Sequence, residues 1–234
     1  MRRNYEEIMG ALMFPIMFLL LFTYIFGGAL EGSVDAYIQF LMPGIIVQSI
    51  LFMTQSTGAT LAMDIEKGVY DRFRTLRIWQ PAAIFGLLVV DAIRYVVATA
   101  ALLVVGVLMG FRPEGGWMAV LAAVALTVLF AFSLSWAWTL LGLTMRSFQA
   151  TLNISMMLLF PLTFLSSVFV RPETMPSILE AIVELNPVTH LSDAARGIVE
   201  GSTSTGDITL VLAECAVMLA VFGPLTMMRF RRQH

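Results

Sequence analysis

The chain has 234 residues, 59% of them hydrophobic and 13% charged, with a net charge of −2 and a mean hydropathy of +0.85. Soluble domains run at about 45–50% apolar and about 25% charged, so the surplus apolar surface needs lipid as its solvent. That excludes a soluble enzyme and leaves room for one membrane domain only; with no basic run, nothing points to nucleic acid. A crossing helix needs about 20 apolar residues. The first such stretch, Ile8 to Leu30, carries no charge. It is too long for a signal-peptide core of about 7–15 residues and reads as a retained span. Ala36 to Met63 is the second, with Pro43-Gly44 and a polar patch from Thr54 to Thr60 inside it. The third, about Ala82 to Gly110, contains Asp91 and Arg94. Trp117 to Thr144 and Ser147 to Val170 are uncharged, and Ile208 to Met228 holds Glu214. The expected fold class is an all-α integral membrane protein with six transmembrane helices: 8–30, 36–63, 82–110, 117–144, 147–170 and 208–228.

Lysine and arginine in short loops set orientation. Arg2, Arg3, Lys67, Arg72, Arg74, Arg77, Arg146, Arg229, Arg231 and Arg232 fall on one side, and only Arg112, Arg171 and Arg196 on the other. Both termini are therefore expected in the cytoplasm.

Two connecting regions have helical patterning. Between spans two and three, Ile65, Val69, Phe73 and Leu76 share a helix face, and Glu66, Lys67, Asp71, Arg72 and Arg74 fill the rest around Gly68. The pattern predicts a surface helix over about 64–77 with a charged face for a cytoplasmic partner; a solvated loop that only sets topology is the alternative. Before the last span, Ile178, Leu179, Ile182 and Val183 are spaced for a short helix, broken at Asn186-Pro187 and followed by a second to about Val199. Two short helices dipping into the outer leaflet over about 172–200 are expected, with a plain outer loop as the alternative.

Candidate chemistry is sparse. Asp91 and Arg94, three apart, share a face and can neutralise one another, as a structural pair or as a gating or substrate site. Glu214 can reach outward or meet Arg196, and a proton-carrying role is the lesser reading. Sixteen methionines would suit an adaptable lining for greasy ligands, but a lipid-facing or packing role is the better account of them. Cys215 is the single cysteine and His190 and His234 the two histidines, so disulfides, cysteine clusters and HExxH motifs are excluded. A P-loop needs lysine after its glycine. Lys67 is the sole lysine and follows Glu66, so any ATP-driven activity must come from another chain.

Several tracts resemble one family. Pro15 with Tyr24-Ile25-Phe26-Gly27-Gly28, Asp71-Arg72-Phe73-Arg74-Thr75-Leu76 and Gly110-Phe111-Arg112 are similar to segments of the type-2 ABC exporter permeases. More specific is Phe160-Pro161-Leu162-Thr163-Phe164-Leu165-Ser166-Ser167, followed by Phe169, Pro172, Glu173-Thr174-Met175-Pro176, Asn186-Pro187-Val188-Thr189-His190 and Asp193-Ala194-Ala195-Arg196. That tract resembles the daunorubicin-resistance-type branch of actinobacterial drug exporters, and the likeness covers essentially the whole chain.

The resemblance implies a single permease domain over 1–234 in the cell membrane, exporting a hydrophobic or amphiphilic, drug-like compound. It implies pairing with a second copy or a paralogue and with two ATP-binding subunits. No cofactor is expected on this chain, ATP and Mg being held by those partners. Ile65, Glu66, Lys67, Gly68, Val69, Asp71, Arg72, Phe73 and Arg74 would couple ATPase closure to the spans. Spans two and five would line the path, with Gln48, Thr54, Gln55, Ser56, Asn153 and Ser155 as candidate substrate contacts; bonds between helices are the plainer role for these residues. Only Met1 to Glu7 precede the first span, where the family carries a longer interfacial helix, and Arg77 stands where it tends to have proline. The rivals are a proton-coupled secondary transporter using Asp91 or Glu214, an exporter of lipid or lipid-linked glycan, a membrane-embedded enzyme and a non-conducting adaptor. No internal repeat supports the first of these.

Overall fold

The computed structural model describes residues 13–30, 32–68, 82–145 and 147–232. Eight α-helices make up its framework, and no strand occurs among the described residues. They are α1 (Met13–Leu30), α2 (Val34–Glu66), α3 (Ala82–Leu108), α4 (Gly116–Met145), α5 (Phe148–Phe164), α6 (Ser177–Glu184), α7 (Pro187–Glu200) and α8 (Thr205–Arg232). A single π turn, Phe22–Phe26, interrupts α1. Helices are the natural solution in lipid, where each backbone group must be satisfied within the segment.

Five of the helices are long and apolar enough to cross a membrane: α1, α2, α3 from Gly86, α4, and α8 as far as Phe230. The fifth expected span departs from this. The stretch 147–170 is apolar throughout, yet α5 has 17 residues and stops at Phe164. The break costs little because the carbonyls of Leu159, Pro161, Leu162, Thr163 and Leu165 near its end find donors. Leu165 N–H donates to Pro161 O (2.8 Å), Thr163 Oγ1 to Leu159 O (2.8 Å) and Ser166 Oγ to Thr163 O (2.5 Å). Asn186 Nδ2 donates to Leu162 O (2.7 Å) and Leu165 O (2.5 Å). The turn that follows lies against α2 at Gly44, where a Cβ would come within 2.6 Å of Val168 O.

α2 is the central pillar, with 78% of its most apolar window buried against 11% for α8. Ser33 caps its start by accepting from Ala36 N–H (3.1 Å), and the helix passes through Pro43 unbroken. It packs along α4 and α5 and touches α3 and α7, while α8 lies on α4 and α7. α2 and α4 approach backbone to backbone: a Cβ on Gly58 would meet Trp138 O at 2.1 Å, and one on Gly142 would meet Gly58 O at 2.3 Å. Close contact through glycine suits a bilayer, where van der Waals packing must replace hydrophobic association. Along α4, Thr127, Ser133, Ser135 and Thr139 each donate to the carbonyl four residues back, so their hydroxyls are satisfied without water.

The charged helix expected over 64–77 begins differently. Asp64, Ile65 and Glu66 form the last turn of α2, and a turn follows at Lys67 and Gly68, whose φ is +67°. A left-handed glycine ends the helix there. Val69, Asp71, Arg72, Phe73 and Arg74 lie outside the described residues, as do Arg2, Arg3, Arg77 and Arg146 of the charge count and residues 8–12 of the first span.

Candidate functional site

One cavity of about 370 Å³ opens among α1, α2, α3 and α5. Sequence spacing explains its walls. Ser49, Phe52, Met53 and Ser56 stand at i, i+3, i+4 and i+7 on α2; Asp91, Arg94 and Tyr95 at i, i+3 and i+4 on α3; and Leu152 and Met156 one turn apart on α5. Phe14 and Pro15 of α1 and Gln55 of α2 complete the lining. These positions lie toward the end of the bundle where α1, α3 and α5 begin and α2 ends. The exposed lining residues Phe14, Arg94 and Met156 mark its mouth.

Asp91 is the buried charge of this cavity, at 3% exposure. Thr57 Oγ1 donates to its Oδ2 at 2.6 Å, whereas Arg94 Nη1 stands 3.5 Å from Oδ1 with its side chain 41% exposed. The two therefore sit on one face, as their spacing predicts, with a long contact at the outer limit of hydrogen bonding.

The path candidates separate. Gln55 and Ser56 line the cavity. Thr54 instead joins α2 to α4, accepting from Trp138 Nε1 at 2.8 Å. Gln48 and Ser155 are buried, with Gln48 Nε2 and Ser155 Oγ lacking hydrogen-bond partners among the described residues. Asn153 is on the exposed side of α5, where Gln149 Nε2 donates to its Oδ1 at 2.9 Å. Sequence reasoning missed Phe14, Phe52, Tyr95 and Met156, although the i, i+3, i+4, i+7 row on α2 was available to find the face they share.

The motif from Ser166 to Arg196 forms a second, densely bonded region at the opposite end. Asn186 caps α7, accepting from Val188 N–H (2.9 Å), while its amide holds the two α5 carbonyls. Arg196, 7% exposed, donates to Phe40 O (3.1 Å), Ser167 O (3.0 Å) and Asp193 Oδ1 (2.8 Å). Its guanidinium carbon lies 3.8 Å from the Phe40 ring centre. Ser167 Oγ donates to the same Asp193 oxygen (2.6 Å), and Tyr37 OH to Phe169 O (3.0 Å). Glu214, expected to reach outward or meet Arg196, instead meets His190: Nδ1 is 2.6 Å from its Oε1. The other ring nitrogen is 2.7 Å from Glu184 O. A carbonyl only accepts, so Nε2 carries hydrogen and one further proton lies between Nδ1 and Glu214. These residues join the break after α5 to α7 and α8. Among the described residues no group of three His, Cys, Asp or Glu side chains is placed to hold a metal.

A multi-pass helical membrane protein with a cavity inside the bundle and a bonded collar at one end is the class these features define. Residues 1–199 match the model of the ABC-2 type transporter family, and the chain belongs to that family. It is 44% identical, over 97% of its length and 81% of the relative's, to the daunorubicin resistance ABC transporter permease protein DrrB1 of Streptomyces coeruleorubidus. It is 24% identical, over 94% of its length and 82% of the relative's, to the probable doxorubicin resistance ABC transporter permease protein DrrC of Mycobacterium tuberculosis. Membership makes the chain the membrane-embedded permease of an ABC transporter, working with a separate ATP-binding subunit.

Proposed function

We propose that this chain exports a hydrophobic or amphiphilic, drug-like compound from the cytoplasm across the cell membrane, driven by two copies of a partner that holds ATP and Mg. The observation that carries this reading is the 44% identity to a daunorubicin resistance permease over nearly the whole chain. The cavity adds to it, being within the size range of small-molecule sites, about 300–1,000 Å³.

Six crossings serve this reading, with both termini in the cytoplasm as the arginine distribution favours. The 17 residues of α5 rise roughly 26 Å at 1.5 Å each, and the turn after Phe164 completes the crossing. α6 and α7 then fold back within the outer leaflet. Ile178 (79% exposed) and Ile182 of α6, and Leu185 (81% exposed) just after it, point away from the protein, which suits lipid. A second copy or a paralogue covers the exposed Gln149–Asn153 pair of α5, a polar pair costly to leave facing hydrocarbon. The cavity then opens on the cytoplasmic half, on the side of the 64–77 segment through which the ATPases act. ATP biases the bundle between two packings by binding them unequally.

Gentle detergent purification of the tagged chain should bring an ATP-hydrolysing subunit with it, and charge reversal at Arg72 and Arg74 should abolish transport while the chain stays inserted. A chain that purifies alone, or full transport in that variant, overturns the reading.

A further inference from the structure

His190 of α7 stands where three helices meet. Its Nε2 lies 2.7 Å from Glu184 O, in the last turn of α6, and its Nδ1 lies 2.6 Å from Glu214 Oε1 of α8. The Glu184 carbonyl is one of those a helix end leaves without an intrahelical partner, and it needs a hydrogen from Nε2. The contact to Glu214 needs a hydrogen as well, since a bare Nδ1 and a carboxylate are both acceptors. One proton beyond those of a neutral imidazole and a carboxylate therefore fills the joint. Without that proton the ring keeps a single N–H, which serves Glu184 O or Glu214 but not both. The remaining contact then sets two lone pairs against each other at hydrogen-bond distance. A second added proton does no such harm: Nδ1–H then donates to the protonated carboxyl.

Nothing nearby takes the place of the proton. Glu214 Oε2 is buried without a hydrogen-bond partner among the described residues. On α6, Glu180 and Glu184 offer carboxylates only. On α7, Asp193 is held by Arg196, and Glu200 lies at the far end. On α8, Asp207 is in the first turn, and Cys215 is buried beside Glu214. From α2, Asp35 is exposed, Tyr37 donates to Phe169 O, and Asp64 and Glu66 lie at the other end. α4 has no ionisable side chain. Glu214 lies roughly 14 Å along α8 from Thr205, at 1.5 Å per residue, where a bare carboxylate is costly. The two side chains are still 24% and 21% exposed, so the joint can exchange its proton.

We propose that His190 and Glu214 form a proton-held clasp: with the proton in place the α6–α7 hairpin is fastened to α8, and loss of the proton releases one side of the fastening. Closing the clasp binds a proton that the open form lacks, so the clasp is complete on the acid side and fails as the pH rises. With both termini in the cytoplasm this end of the bundle faces outward, and the medium outside the cell sets the state of the hairpin. The clasp rests on the geometry at His190; only the side from which its proton comes rests on the export reading.

The chain has two histidines, so isotope-labelled histidine NMR of the full chain in nanodiscs follows the ring directly, with His190→Gln assigning the signal. Spin labels at Ile178→Cys of α6 and Val217→Cys of α8, both exposed, in a Cys215→Ser background, report the spacing of the two helices by pulsed electron resonance. Labelled chain is diluted into unlabelled chain so that one protomer is read at a time. From about pH 5 to about pH 9 the ring is expected to lose one proton, and the spacing to grow or broaden by roughly 3 Å, the width of an intervening water. Glu214→Gln gives Nδ1 a permanent N–H donor, so it should hold the short spacing at every pH, a result that a pair with no proton dependence would not give. A wild-type spacing that stays constant over the range, or a Glu214→Gln variant that moves with pH as the wild type does, overturns the proposal. A pH-dependent spacing in a chain that purifies without an ATPase keeps the clasp and removes the export reading. A constant spacing in a chain that brings its ATPase does the reverse.

Discussion

The two ends of the bundle treat their polar groups in opposite ways. At the collar, Asn186, Ser167 and Arg196 donate to nearby acceptors, Asp193 accepts from two of its neighbours, and the Leu162 and Leu165 carbonyls at the broken end of α5 are paired. At the cavity, Gln55 Oε1 has no partner among the described residues, and Asp91 has one short donor, Thr57, and a long contact to Arg94. Both regions sit in apolar surroundings where an unmet hydrogen bond is costly. Satisfaction at one end fixes a shape, and deficiency at the other leaves something for a ligand or a movement to supply.

The largest test of that contrast is Arg196→Gln. It takes the donor from the Phe40 and Ser167 carbonyls and removes the cation over Phe40, so a loss of about 3–5 kcal/mol is expected, at roughly 1–3 kcal/mol for each buried group left unpaired. Fluorescence-detected size exclusion should show loss of the monodisperse peak on mild heating, while Arg94→Gln keeps its wild-type profile. Equal stability of the two variants would mean that the collar is no more fixed than the cavity. Of middle size is Gly142→Val. Its Cβ would fall 2.3 Å from Gly58 O, and forcing the α2–α4 contact apart should cost about 1–3 kcal/mol. Gly28→Val, with nothing within 4 Å of its Cβ, is the matched control in a thermal melt. A melting point unchanged in Gly142→Val would show that the seam yields. The smallest effect is the coupling between Asp91 and Arg94. A double-mutant cycle including the exchanged pair should return less than about 1 kcal/mol, because the contact is long and the Arg94 end is open to solvent; a coupling of several kcal/mol would tie Asp91 down and take away the contrast.

Hydropathy located the helices well because uncharged runs such as 117–144 leave the chain no other choice in lipid. It overran at 147–170 for a specific reason. Nothing in the local pattern of Leu165 to Val170 says that Asn186, more than 20 residues away, will take the carbonyls that let α5 stop at Phe164. The polar patch from Thr54 to Thr60 marked the right stretch of α2, but not the division of its side chains. Thr54 faces Trp138, Thr57 faces Asp91, and Gln55 and Ser56 face the cavity. Selecting polar residues alone mixed those faces, and it passed over the aromatics and methionines that, with Pro15 and Leu152, form most of the wall. Glu214 was visible as a charge in a span, but its partner His190 becomes a neighbour only when α7 folds against α8.

The phenylalanines of α1 give the opposed regions a common axle. Phe14, Phe18, Phe22 and Phe26 follow one another at ring separations of 4.4, 5.5 and 5.2 Å. The first stands 6.3 Å from Phe52 at the cavity, and the third lies 4.6 Å from Phe169 beneath the collar. A guest that shoulders Phe14 aside therefore leans on a rod whose far bearing is the residue that anchors Tyr37. Wear at any one ring would be felt at both ends, and Phe18 is where the rod would be cut.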